Sequence, residues 1–425
     1  VFSLSSLLRF VRTDVLWVLA GQLIALIVGL ISLKIFTNIF TAEQYAFIAL
    51  MMALSGWIWM GLYQPLNQTI FRFHSLAVKQ GWQANFFSYV WQYEKNLIKL
   101  VGISALLILF CGVLLGQSQS LLLLVLLSSL MGVSYGAIHG VISFYVAQRK
   151  RKPVTLIQSA DGAFRLLGGL IAFYWFSQSE YATAVGMVIA GMVLFGIVLN
   201  SLGVVKQFKL TKNVGFIDDD IEYRQGFYNY FKKMFVVMIL NASIIHLDKW
   251  LLFALLGPST IGKYAVVYLL AMTITSMMYV FFEMVGFPLV INQQSLMARE
   301  KYQFLLTLVY AVCLLVVTII IYVFGEELLL FLTTDYVASE HKTFTLLVIA
   351  CGLLNLGRIL MVQGQVDMQP HKYWPAYLVL LCFFIGWCFL FAEYGGSLVV
   401  AEGYVYGTMI FVFLVVILNL RLAKN

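Results

Sequence analysis

The chain has 425 residues, 62% of them hydrophobic and only 11% charged, with a mean hydropathy of +0.92, whereas soluble domains carry roughly a quarter charged residues. A water-soluble surface cannot be built from this composition, and the length leaves room for about a dozen membrane spans of around 20 residues each. The net charge of +8 does not indicate nucleic acid as a partner, because the basic residues fall in short runs between apolar segments, as membrane topology requires.

Apolar stretches of spanning length run at 15–36, 44–66, 97–116, 121–146, 154–176, 183–205, 234–256, 264–290, 303–324, 343–363, 373–392 and 399–420. They predict an all-α polytopic membrane protein with about 12 transmembrane helices. The first run lacks the order of a cleaved signal peptide and is long enough to remain as a span. Gly21, Ala25 and Gly29 in span one, and Gly132, Gly136 and Gly140 in span four, recur every four residues, a spacing that lets helices approach closely. After span two, AVKQGWQANFFSYVWQYEKN mixes aromatics with Lys and Glu and predicts an interfacial helix on the cytoplasmic surface. The least apolar connection, 206–233, divides the chain into a lobe at 1–205 and a lobe at 234–425. An internal echo agrees: Lys34 precedes Tyr45-Ala46 as Lys249 precedes Tyr264-Ala265, about half the chain later. Two repeated six-helix halves are expected to hold a substrate at their interface.

With the N-terminus placed in the cytoplasm, the outside receives only Lys34, Lys249, Lys263 and Lys342. Arg165 and Arg358 fall within spans, and every other Lys and Arg of the 27 lies inside. This bias predicts cytoplasmic termini and an external connection at 325–342.

Several motifs lead nowhere chemically. Gly257–Lys263, GPSTIGK, is one residue short of a P-loop, has Tyr264 where a Ser or Thr would hold magnesium, and lies in a turn on the outer side, so no nucleotide is expected. Gly132–Gly136, GVSYG, matches a nucleophile elbow but sits mid-helix, without the strand-to-helix turn that chemistry needs. The five cysteines read as small apolar residues, with neither disulfide nor metal spacing. The five histidines lack the pairing of a metal site, so no cofactor is expected. His246 is retained as a candidate because it precedes Asp248 and Lys249 within a span.

Ionisable residues inside a bilayer cost about 2.5–3.5 kcal/mol each at its centre and mark functional sites. Asp161 and Arg165 stand four apart on one helical face, as a self-neutralising pair or as substrate contacts. Arg358 has no opposite charge one turn away, so a polar lumen is expected around it, where a phosphate could meet it. Asp248, Lys249, Glu283, Lys34 and Arg72 complete the set. For Lys34 and Arg72 the competing reading is snorkelling to the headgroups.

Three segments carry a family resemblance: NIFTAEQYAFIAL, GLYQPLNQTIFRF and, most specifically, LDKWLLFALLGPSTIGKYAVVYLLA. The last is similar to an Asp, Leu-Gly, Gly-x-Tyr-x-x-Ala series at spans seven and eight, matched by Asp248, Leu256, Gly257, Gly262 and Tyr264, with Val267 in place of the Ala. In the first half Ala42 and Ala46 depart from the pattern's Pro and Gly. The whole chain thus resembles the polysaccharide flippases of the multidrug, oligosaccharidyl-lipid and polysaccharide exporter superfamily. The resemblance implies two six-helix lobes around a central cavity in a bacterial inner membrane. Its substrate would be an undecaprenyl-diphosphate-linked oligosaccharide, such as an O-antigen unit for lipopolysaccharide, with membrane lipids and polysaccharide-assembly proteins as partners. Arg165, Arg358, Lys249, Lys34 and Arg72 would bind that substrate, and Asp161, Asp248, Glu283 and His246 would couple ions. Rival readings are a multidrug antiporter of the same superfamily and a glycan polymerase or ligase. The latter usually needs a sizeable external loop, and 325–342 is short.

Overall fold

A computed structural model of the chain describes the backbone of residues 4–79, 82–148, 150–201, 220–291, 295–366 and 369–422. Helix α1 (Leu4–Ile39) turns into α2 (Ala42–Ile58), a π-helical turn (Trp59–Tyr63) and α3 (Gln64–Lys79). Then come α4 (Gln83–Leu114), α5 (Gln119–Ala147), α6 (Arg151–Trp175) and α7 (Glu180–Ser201). The chain resumes in α8 (Asp220–Leu256), α9 (Pro258–Ile291), α10 (Leu296–Leu332), the short α11 (Asp335–Ala338) and α12 (His341–Leu360). The short α13 (Val362–Val366) and a 3-10 turn (Pro370–Tyr373) lead into α14 (Trp374–Leu422).

Eleven helical stretches among the described residues are long and apolar enough to cross a membrane, and the last, Pro370–Leu420, has 51 residues. At 1.5 Å per residue it would extend about 75 Å, far beyond a hydrocarbon core of about 30 Å. Gly396, at φ 62° and ψ −143°, breaks it. A left-handed backbone of this kind suits glycine, which has no Cβ to clash. The two arms fold back antiparallel: Phe384 meets Tyr404, Tyr377 meets Phe411, and Tyr373 donates to Asn419 Oδ1 at 2.6 Å. With this hairpin the number of crossing segments among the described residues is twelve, and the protein is a multi-pass membrane protein.

Local chemistry sets the other breaks. Thr41 and Gln44 cap α2 reciprocally, the Gln44 side chain accepting from the Thr41 amide at 3.1 Å and Thr41 Oγ1 from the Gln44 amide at 3.4 Å. Gly257, at φ 79°, closes α8, and Pro258 opens α9, the usual division of labour between these two residues at a helix boundary. In the middle of Ala42–Lys79, Pro65 brings no N–H, and its ring would strike the carbonyl four residues back. The helix widens there: the Gln64 amide reaches the Trp59 carbonyl, five residues earlier.

By contacts the chain forms two compact units, residues 1–49 with 247–425, and residues 50–246. This differs from a division at 206–233, because α1 packs on α9 and α10. Of that expected connection, 206–219 lies outside the described residues and 220–233 is the start of α8. Phe227 there is fully buried against Phe73 and Phe86, which is why the segment is helix and not a loop. The expected interfacial helix is likewise absorbed: its residues end α3 and begin α4, and Phe86 and Val90 are buried.

In the unit 50–246, α5 is largely buried and α4 mostly faces outward. The α5 glycines do what their spacing predicts. A Cβ at Gly132 would meet Ile58, at Gly136 the Tyr63 ring, and at Gly140 the Glu94 carboxylate. Helices α6 and α7 cross closely, Gly168 and Gly186 lying backbone to backbone. The span-one stripe behaves differently: Ala25 is exposed, and nothing stands within 4 Å of where a Gly29 side chain would begin. In the other unit, Phe282, Tyr310, Leu314 and Ile359 form a core joining α9, α10 and α12.

Candidate functional site

In the unit 50–246 the π-helical turn places two aromatic residues against α5. Trp59 packs on Tyr135 and His139, with ring centroids 4.9 and 4.8 Å away, and Tyr135 lies 4.6 Å from His139. Arg165 of α6 faces this group, its guanidinium 5.1 Å from the centre of the Tyr135 ring. Asp161, one turn earlier, accepts from Arg165 Nε at 3.0 Å, so the intrahelical pair forms as the spacing allows. Both residues are buried, at 5% and 6% exposure. The pair uses only one edge of the guanidinium. Among the described residues, neither Nη1 nor Nη2 of Arg165 has a hydrogen-bond acceptor, and the space they occupy exists because residue 191 is a glycine. An arginine carries five N–H donors, and burying a cation with most of them unsatisfied is costly.

A second polar group lies in the same unit, packed on α5. The sequence predicts an interfacial position for Glu94 of α4, yet it is buried against α5, as is Asn67 of α3. Glu94 Oε2, Asn67 Oδ1 and the Tyr63 hydroxyl are all buried without a hydrogen-bond partner among the described residues. The available signal was Pro65, which displaces the helix at Tyr63, combined with the α5 glycines that admit Tyr63 and Glu94.

In the unit 1–49 with 247–425, Lys249 Nζ donates to Asp248 Oδ1 at 2.8 Å and Oδ2 at 3.1 Å, and the Tyr264 hydroxyl donates to Oδ2 at 2.9 Å. The ammonium also sits 3.3 Å from the Tyr268 ring centre. Asp248 and Lys249 are thus brought together in a neutral, aromatic-walled pair. Arg358 Nη1 donates to Asn355 Oδ1 at 2.8 Å, its guanidinium lies 5.9 Å from the Tyr279 ring centre, and Tyr377 is within its electrostatic reach. Glu283, one turn after Tyr279 on α9, is within electrostatic reach of Arg358.

The remaining predicted residues join neither group. Lys34 donates to the Thr333 carbonyl at 2.6 Å and to that of Leu330 at 3.5 Å, closing the C-terminus of α10 as a cation there should. Arg72 is half-buried on α3 within reach of Tyr230. His246 lays its ring over Gly56 of α2. Among the described residues no group of three or more His, Cys, Asp and Glu could hold a metal ion.

No protein-family model matches the sequence, and none of the curated proteins is similar to it. Solved structures are. A MATE transporter in the straight conformation aligns over 98% of this chain and 96% of its own, with 12% identity and a TM-score of 0.69. A mutant of the Vibrio cholerae MATE transporter VcmN aligns over 99% and 98%, with 14% identity and a TM-score of 0.63. An inward-facing multidrug resistance MATE family transporter of the MOP superfamily aligns over 97% and 95%, with 13% identity and a TM-score of 0.60. At these identities the likeness bears on the fold, and the chain has the helical fold of the MATE transporters.

Proposed function

We propose that this protein is a membrane transporter of the multidrug, oligosaccharidyl-lipid and polysaccharide superfamily. It flips an undecaprenyl-diphosphate-linked oligosaccharide across a bacterial inner membrane, with both termini in the cytoplasm. The observation that carries the anionic substrate is Arg165, a buried guanidinium whose two terminal nitrogens have no acceptor among the described residues. Phosphate oxygens match that planar, permanently charged fork in pairs. Arg358, in the other unit, adds a second, half-buried guanidinium near the Tyr279 ring. Sugars and isoprenoid chains suit the aromatic surfaces of Trp59, Tyr135 and Tyr279.

A multidrug antiporter is the second reading, favoured by the buried carboxylate of Glu94 and by the multidrug transporter among the similar structures. Two assays on a deletion strain separate them. The flippase reading expects lipid-linked glycan to accumulate on the cytoplasmic leaflet, with unchanged efflux of cationic dyes. Arg165→Gln and Arg358→Gln should each fail to complement, and Arg358→Lys should complement poorly although it keeps the charge. Full complementation by both Gln variants, in protein present at normal levels in the membrane, refutes the diphosphate assignment.

A further inference from the structure

We propose that Glu94, Asn67 and Tyr63 form a proton-binding site in which Glu94 holds an exchangeable proton and donates it as a hydrogen bond to Asn67 Oδ1. Three observations converge on this. First, a Cβ at Gly140 would meet Glu94 Oε1 and would stand 3.8 Å from Asn67 Oδ1, so one glycine-made recess holds both side chains. Second, Glu94 Oε2, Asn67 Oδ1 and the Tyr63 hydroxyl are all buried and lack hydrogen-bond partners among the described residues. Third, Glu94 and Asn67 are 6% and 4% exposed and Tyr63 is fully buried, so bulk water does not satisfy them.

Among the described residues no ion pair to Glu94 is found. From the π-helical turn the facing titratable group is Tyr63, and from α3 the polar neighbours are Asn67 and Gln64, whose side chains approach within 3.5 Å. His74 of α3 turns to Phe86, Phe87 and Phe144, and His139 of α5 packs on Trp59 and Tyr135. On α4 itself, Lys95 is exposed over Trp91, Lys99 is exposed, and Tyr93 bonds Tyr89. From α8, Arg224 lies over Tyr89 and Lys232 over Tyr228.

A bare carboxylate left here would be a buried unpaired charge, whereas a carboxylic acid is neutral and has one donor to give. Adding one proton to Glu94 turns an orphaned acceptor into a donor, and Asn67 Oδ1 is the orphaned acceptor beside it. A single protonation therefore removes two unsatisfied atoms and one buried charge. Loss of the proton restores all three costs, so the site is poised to couple protonation to any rearrangement that admits water. The role as coupling ion rests on the transporter reading above, but proton binding does not.

Infrared spectra of the full-length protein in lipid nanodiscs, without substrate, test the site. The expected result is a carboxylic acid carbonyl band that shifts in deuterium oxide and disappears as pH is raised through about 8–9, where buried glutamates have been seen to titrate. The band should be absent in Glu94→Gln and move to higher wavenumber in Asn67→Leu, which removes the acceptor. If Glu94→Gln does not fold, carbodiimide modification of the wild-type protein, mapped by mass spectrometry, should occur at Glu94 and fade over the same range. A spectrum unaltered by Glu94→Gln, a band that does not change with pH, or no modification at Glu94 overturns the proposal. Thermal stabilisation by sodium that Glu94→Gln abolishes, with no acid band, overturns it in favour of a metal cation. An intact band in a protein whose transport ignores a proton gradient keeps the site and overturns only the coupling role.

Discussion

Replacing Gly186 with Ala tests the geometry that positions Arg165. A Cβ at residue 186 would run into the Gly168 carbonyl of α6 and the Ala172 methyl. Because one of these is backbone, helices α6 and α7 must separate to admit it. Overpacking of this kind costs about 1–3 kcal/mol, while Ala in place of a helical Gly returns about 1 kcal/mol. Gly196, on the same helix α7, has nothing within 4 Å of its absent side chain, so Gly196→Ala retains the gain without the clash. The difference between the two variants cancels the propensity term and leaves about 1–3 kcal/mol. Thermal unfolding of both proteins in the same detergent should place Gly186→Ala several degrees below Gly196→Ala. Since Gly191 of α7 makes room for the Arg165 guanidinium, the displaced helix should also lower transport. Equal stability of the two variants would falsify the close α6–α7 crossing.

Lys34→Met should cost about 0.3–1 kcal/mol, the value of a cation at a helix C-terminus, and leave transport intact, as read by melting temperature and complementation; lost transport at normal stability would return Lys34 to the substrate site. Pro65→Ala restores an N–H inside a helix, which intrinsic propensity favours by about 3 kcal/mol. It should hold or raise stability while reducing transport, because a closed α-helical turn no longer presents Trp59 and Tyr63 to α5; undiminished transport would show that the widened turn has no functional part. In a cysteine-free background, Lys212→Cys and Ser339→Cys should react with impermeant maleimide from opposite sides of the membrane, and labelling from one side defeats the proposed topology.

Where charge and glycine act through local spacing, the chain was readable before folding. Asp161 and Arg165, four residues apart, form the 3.0 Å pair that helical geometry permits. Gly132, Gly136 and Gly140 pack because a stripe with a fourfold repeat stays on one helical face. The identical spacing in span one does not pack at Gly29, since a stripe prescribes a smooth face and not the presence of a neighbour. The burial of Glu94 is not legible in the sequence for a related reason. Its sequence context of Trp, Gln, Tyr, Lys and Asn has the composition of a membrane surface, and only the glycine of another helix, Gly140, creates the recess that buries it.

Composition and hydropathy alone determined that this is a helical membrane protein with about a dozen crossing segments, because a backbone in hydrocarbon must satisfy its own hydrogen bonds and helices do so within each segment. The pairing of Asp161 with Arg165 and the turn at Gly257–Pro258 followed from contacts only a few residues apart. The tertiary structure decided everything that depends on which helices meet. It put α1 against α9 and α10, committed Lys34 to the carbonyls ending α10, and assembled Tyr63, Asn67 and Glu94 from three successive helical segments against α5. Each of these rests on interhelical packing, which in a membrane comes from shape and polar contacts, and neither shape nor partner is written in the hydropathy of a single span.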